Sequence, residues 1–244
     1  TVNLVQGGRG PIWAIILFLL GGFVPSLTGI YFTYYYEGKT GLKNMFKKAI
    51  DFKMSFKLYS LVIIVNIYLA ISLILLNNIL GNSFDFSQFL IQLPMLVPLI
   101  ILGPLSEEFG WRGFAIKRLL KVLSPNQASL IIGLVWSGWH FPLFHIVGSS
   151  QYEFNIPFLV FLITVTASSF IYTYLYIKSA GSIFSAIFFH WIYTYVFQVV
   201  NSTIDRSLLY NRLEFLPSLI AAIVFAVLLK RISEKQDINE LITD

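Results

Sequence analysis

Cysteine does not occur anywhere in the 244 residues, which excludes disulfides, thiolate metal sites and a cysteine nucleophile together. Its absence leaves the redox compartment open. Charge is also scarce, since only 12% of residues are Asp, Glu, Lys or Arg, against about a quarter in ordinary soluble domains. A separate soluble domain of ordinary size is therefore not expected. The surplus of 17 basic over 12 acidic residues would suggest nucleic acid in a soluble protein, but here it follows membrane topology, so no nucleic-acid partner is expected. No repeat or low-complexity tract stands out.

What is present is apolar. Hydrophobic residues make up 57% of the chain and the mean hydropathy is +0.75. With about 20 apolar residues per span, this length holds six to eight membrane helices with short connections. The expected fold is an all-α, polytopic helical bundle, one integral domain over residues 1–244, with the lipid bilayer as its surroundings. The first apolar run is too long for a signal peptide and lacks the small-residue cleavage pattern, while the chain begins at Thr1 rather than Met, so an earlier segment can precede it. Runs bounded by charged or Gly/Pro-rich breaks predict seven segments, at 11–36, 58–80, 89–122, 126–147, 156–177, 181–200 and 214–229. The third contains Pro94, Pro98 and Gly103-Pro104, which predicts a break and a second helix starting near Pro104. The tail, 233–244, is polar and expected to be solvated.

If the first span runs inward, 13 of the 17 basic residues fall on one side, Arg9, Arg206 and Arg212 fall on the other, and Arg112 alone lies within a span. The positive-inside rule then places the N-terminus outside and the C-terminus in the cytoplasm. The main basic run, from Lys39 to Lys57, interleaves lysines with Met45, Phe46, Ile50, Phe52 and Phe56. It reads as a cytoplasmic interfacial helix with snorkelling lysines, with a substrate-docking surface as the alternative.

Of the acidic residues only Glu107 and Glu108 lie well inside an apolar segment, where an ionisable group marks a function or a buried pair. Glu108 and Arg112 are four apart and share a helix face, whereas Glu107 points about 100° away. The spacing assigns Glu108 and Arg112 to structure and leaves Glu107 for chemistry. A helix start near Pro104 would also put both carboxylates in its first turns, beside the positive dipole end. His140 and His190 lie within other spans. At 1.5 Å per residue they sit about 22 Å and 14 Å from the basic end, and Glu107 about 15 Å, so the three can meet. Pro142 is expected to kink the His140 helix and free the Gly138 carbonyl beside a wet cavity. Trp136 and Thr194 lie one turn from His140 and His190 and can face the same space, although packing is the default reading for Trp136 and Trp111. His145, about 140° round from His140, reads as structural.

These residues resemble the motifs of the CAAX protease and bacteriocin-processing family, and specifically a type II CAAX prenyl endopeptidase. "GPLSEEFGWRGFA" is similar to its EExxxR motif. "WSGWHFPLF" is similar to FxxxH, with Trp136 in place of Phe. The third motif, HxxxN or HxxxD, is met by His190 but has Thr194 at its last position. Gln198 and Asn201 lie too far along that helix to substitute for it directly. The resemblance implies an intramembrane endopeptidase with a polar cavity open to the cytoplasmic side, acting on prenylated CAAX-type proteins or on leader or bacteriocin-type peptides. Carried over by position, Glu107 and His140 activate water, and His190 with Thr194 stabilises the oxyanion. A catalytic zinc on Glu107, His140 and His190 and a metal-free Glu/His route both remain open. Two other readings stand beside the peptidase. One is a catalytically weakened scaffold or immunity-type protein. The other is a proton-coupled carrier, disfavoured because only one helix looks interrupted.

Overall fold

The computed structural model describes residues 2–3, 12–85, 87, 91–204, 206–235 and 237–242. Arg9 and the predicted span starts at residues 11 and 89 lie outside these residues. The described chain is helical apart from two short strands, β1 (Val2–Asn3) and β2 (Ile146–Val147), which pair in parallel. Besides the single-turn helix Ser150–Glu153, the helices are α1 (Ile12–Ile50), α2 (Phe56–Ile79), α3 (Leu93–Leu119), α4 (Pro125–Trp139), α5 (Phe158–Lys178), α6 (Ile183–Thr203), α7 (Leu208–Ser233) and α8 (Ile238–Ile242).

Six of them, α1, α2, α3, α5, α6 and α7, are long and apolar enough to cross a membrane. The predicted seventh segment is α4, which has only 15 helical residues. Its start is fixed by a capping box between Ser124 and Gln127 with Pro125 in the first turn. It ends at Trp139, where His140 caps it and a 3-10 turn, Phe141–His145, follows. The expected kink at Pro142 is therefore a helix end, because proline three residues beyond the last helical residue has no N–H to continue the ladder.

The predicted discontinuity at Gly103-Pro104 is present, but as a π-helical turn over Ile101–Leu105, with a second over Phe109–Ala115. Such turns absorb a proline without ending the helix. Glu107 and Glu108 thus lie in the middle of a continuous 27-residue helix, and the helix-start dipole expected beside them is not available.

Helix α1 bends at Gly38, whose φ of 63° and ψ of −159° are left-handed and non-helical. Glycine takes this conformation without a Cβ penalty. Beyond the bend, Met45 and Ala49 are buried while Phe46, Ile50 and Phe52 are exposed beside exposed Lys43 and Lys47.

Helix α1 crosses α3 at very close range. A Cβ on Gly29 would lie 2.5 Å from the Phe109 carbonyl oxygen, and one on Gly110 would strike the Pro25 carbonyl. Helices α4 and α5 also meet at a glycine, where a Cβ on Gly133 would lie 2.5 Å from Thr166 Cα. Small residues let membrane helices approach closely enough for backbone contacts.

The two ends of the bundle differ. At the basic end, Glu37 of α1 receives Lys117 at 3.2 Å and Arg118 at 2.8 Å from α3, and Lys48 reaches the Ile242 carbonyl at 3.3 Å. The polar tail is not wholly solvated: α8 folds back and buries Ile238 and Ile242 against Ile116, Leu120, Tyr176 and Leu229. At the opposite end, Arg206 pairs with Glu214 at 2.9 Å and with Asn201. There Asn211 donates to the carbonyls of Phe154 and Asn155.

Candidate active site

Glu107 and Glu108 leave α3 in different directions, as the helical spacing predicted. The Glu108 carboxylate is buried and takes the Arg112 guanidinium at 3.0 and 3.1 Å on its two oxygens. The guanidinium lies 3.8 Å from the Tyr172 ring centre and 4.7 Å from that of Trp136. Stacking between aromatic faces suits its planar, weakly hydrated charge. Glu108 has a second partner that its spacing could not reveal, His190 Nδ1 at 2.7 Å. A carboxylate acceptor there leaves the proton on Nδ1 and directs Nε2 away from Glu108. Gly103 lies under that edge, where an added Cβ would stand 3.4 Å from His190 Nε2.

Glu107 is buried and faces the other way. Its Oε2 accepts the indole N–H of Trp136 at 2.5 Å, and its Oε1 lies 4.0 Å from His140 Nε2. His140 Nδ1 lies 2.8 Å from the Trp136 carbonyl, which can only accept. The proton is therefore on Nδ1 and the Nε2 lone pair faces Glu107. Trp136 holds both members of the pair, the carboxylate through its ring and the imidazole through its backbone. Its expected packing role is thus extended by a direct polar contact with Glu107.

Glu107, Trp136, His140, His190 and Thr194 line one cavity of about 510 Å³. This brings together the five residues that the sequence placed at the site, with Arg112 and Glu108 behind them. His145 does not line it and instead meets Phe141 edge-on. Trp111 contacts Trp139, not the cavity. Gln198 lines the far wall and accepts from Ser150 at 3.1 Å, while Asn201 is held by Arg206. Sequence reasoning missed Gly103, Ser106 and Tyr172. The only signal for Tyr172 was its place on an apolar helix among several tyrosines.

The cavity differs from expectation in two ways. Its wall is mostly apolar, with side chains such as Leu17, Phe23, Leu143, Ile156 and Phe161, and polar groups gather at its floor. It also extends toward Ile146, Gln151 and Gln198, at the end of the bundle opposite the basic cluster. A cytoplasmic basic end and a cytoplasmic cavity therefore do not hold together.

Zinc would need its protein donors within about 2.0–2.2 Å of one point. The contact of His190 Nδ1 with Glu108 and the Trp136 bond to Oε2 of Glu107 leave His190 Nε2, His140 Nε2 and Glu107 Oε1 as the atoms that would hold such an ion. Among the described residues no group of three His, Cys, Asp or Glu side chains is placed to hold a metal ion.

Residues 89–196 match the family model described as type II CAAX prenyl endopeptidase Rce1-like. The segment is similar to that family. Over 122 residues the chain is 34% identical to CAAX prenyl protease 2 of Methanococcus maripaludis, a stretch that covers 48% of this chain and 45% of the relative. The chain thus spans about half the length of that relative. The matched segment holds Glu107, Glu108, Arg112, Trp136, His140, His190 and Thr194, while Leu17, Phe23 and Gln198 of the cavity wall lie outside it.

Proposed function

We propose that the protein is an intramembrane endopeptidase that hydrolyses a peptide bond in a membrane-held peptide, without a metal. The observation that carries this reading is the 4.0 Å between Glu107 Oε1 and His140 Nε2 at the floor of the cavity. That gap is too long for a direct hydrogen bond, yet a water beside it reaches both atoms.

Glu107 takes a proton from this water as its oxygen bonds to the scissile carbonyl carbon, and His140 Nε2 accepts the second hydrogen bond and orients it. The Trp136 N–H fixes the other oxygen of Glu107, so the carboxylate need not reorganise during the step. The carbonyl oxygen becomes negative and is met by Thr194 and by His190 Nε2. Glu108 holds His190 from the Nδ1 side and so aims Nε2 at that oxygen. When the C–N bond breaks, Glu107 returns the proton to the leaving amine. The products are a carboxylic acid and an amine, with the proton balance closed.

The apolar wall suits a lipidated or hydrophobic peptide. The relative's name, CAAX prenyl protease 2, makes a prenylated C-terminal peptide the first substrate to assay, and a leader or bacteriocin-type peptide the second. Purified wild type is expected to cleave one of them. Glu107→Gln and His140→Ala are expected to abolish cleavage while their melting curves in detergent stay near wild type, and chelation is expected to leave cleavage unchanged. Equal inertness of wild type and both variants on all such substrates would favour the scaffold reading, with Thr194 as the departure behind it.

A further inference from the structure

Every stretch of chain that lines the cavity comes from the site itself or from the part of its helix farther from the basic end. The lining of α1 comes from residues 17–23, well before Gly38 and the lysines; that of α5 from residues 161–168, before Lys178; and that of α6 from residues 190–198, beyond Gly181. α4 contributes its last turn, Trp136 to His140, and the 3-10 turn, β2 and the short helix Ser150–Glu153 beyond it supply Leu143, Ile146 and Gln151. In the other direction the bundle is closed. Ile116, Leu120, Tyr176, Leu229 and the α8 isoleucines pack below the site, and Glu37 bridges α1 to α3 at that end.

Basic residues within short loops face the cytoplasm. Lys43, Lys47, Lys117, Arg118, Lys178 and Lys230 all belong to the closed end. From these two observations we infer that substrate reaches the site from the extracytoplasmic face. The substrate class follows: membrane-anchored peptides whose scissile segment lies on the outer side, such as exported leader-bearing or surface-anchored peptides, rather than cytoplasmic tails. The word substrate here rests on the peptidase reading; the sidedness of the cavity does not.

The cysteine-free chain allows a direct test. Gln151→Cys lies in the cavity wall and Lys43→Cys at the basic end, with Tyr152→Cys and Lys47→Cys as second positions should either first variant fail to accumulate. In intact spheroplasts a membrane-impermeant maleimide is expected to modify the 151 and 152 variants, and to modify the 43 and 47 variants only after permeabilisation. The reverse pattern, or no modification at 151 and 152 under either condition, overturns the proposal. A second arm uses proteoliposomes of known orientation with an anchored peptide whose scissile tail lies on one side. Cleavage is expected only of tails on the cavity side, and cleavage confined to basic-side tails overturns the entry route. Should labelling follow the expected pattern while no peptide is cut from either side, the peptidase reading fails and the sidedness stands.

Discussion

Two positions depart from the motifs the chain resembles, and both contact or face the reacting space. A phenylalanine at position 136 has no N–H, so Trp136→Phe would keep the ring packing against Tyr172 and His190 but leave Glu107 Oε2 without its donor. Hydrogen bonds to charged groups are worth about 1.5–3 kcal/mol. The expected result is a fall in kcat of roughly ten- to a hundredfold at little change in KM, read by steady-state cleavage of the best substrate. Thr194 has one hydroxyl donor where the motif has an amide or carboxyl. Removing one oxyanion donor typically costs about 10²-fold or more in kcat, so Thr194→Ala should lower kcat by up to that factor. Thr194→Asn should retain or raise it. A Thr194→Ala variant as fast as wild type would remove residue 194 from the mechanism. The Glu108–Arg112 pair is a different case, since it touches no reacting atom. Arg112→Met would leave the buried Glu108 carboxylate with His190 as its remaining side-chain partner, at up to about 3–5 kcal/mol, and should appear first as a lower melting temperature and a loss of folded yield.

At the scale of elements, the position of Glu107 depends on how closely α1 and α3 approach. The contact of Gly29 with Phe109 and Gly110, and of Gly110 with Pro25, lies one turn from the carboxylates, and the obstructing atoms are backbone, which cannot rotate aside. Gly110→Ala is therefore expected to separate the helices or unfold the pair, and cleavage should fall with stability in a thermal melt followed by activity. Gly138→Ala, where an added Cβ meets nothing within 4 Å, should melt and cleave like wild type. The π turns around 101–105 and 109–115 are the other local feature that the sequence did not disclose. Proline and glycine announce that a helix is disturbed, but a break and a widened turn have the same composition, and the choice falls to the helices packed around it.

For the molecule as a whole, the contrast lies between a buried floor and a screened end. The Glu37 links to Lys117 and Arg118 have side chains about a third exposed, and such pairs contribute about 1 kcal/mol or less. Glu37→Gln should consequently change neither cleavage nor melting by a large amount, in contrast to Arg112→Met, and a large loss would mean that this link closes the basic end more firmly than its exposure implies. Six of the seven predicted spans, the basic end, the internal Glu108–Arg112 pair and the grouping of Glu107 with His140 and His190 were legible from sequence, because hydropathy, charge bias and helical period are properties of a segment taken alone. The bond from Trp136 to Glu107, the turn of His190 onto Glu108, the return of α8 onto the core and the end at which the cavity opens were not. Each is a contact between segments distant in sequence, with no periodicity to mark it, and only the packed bundle decides which side chain meets which.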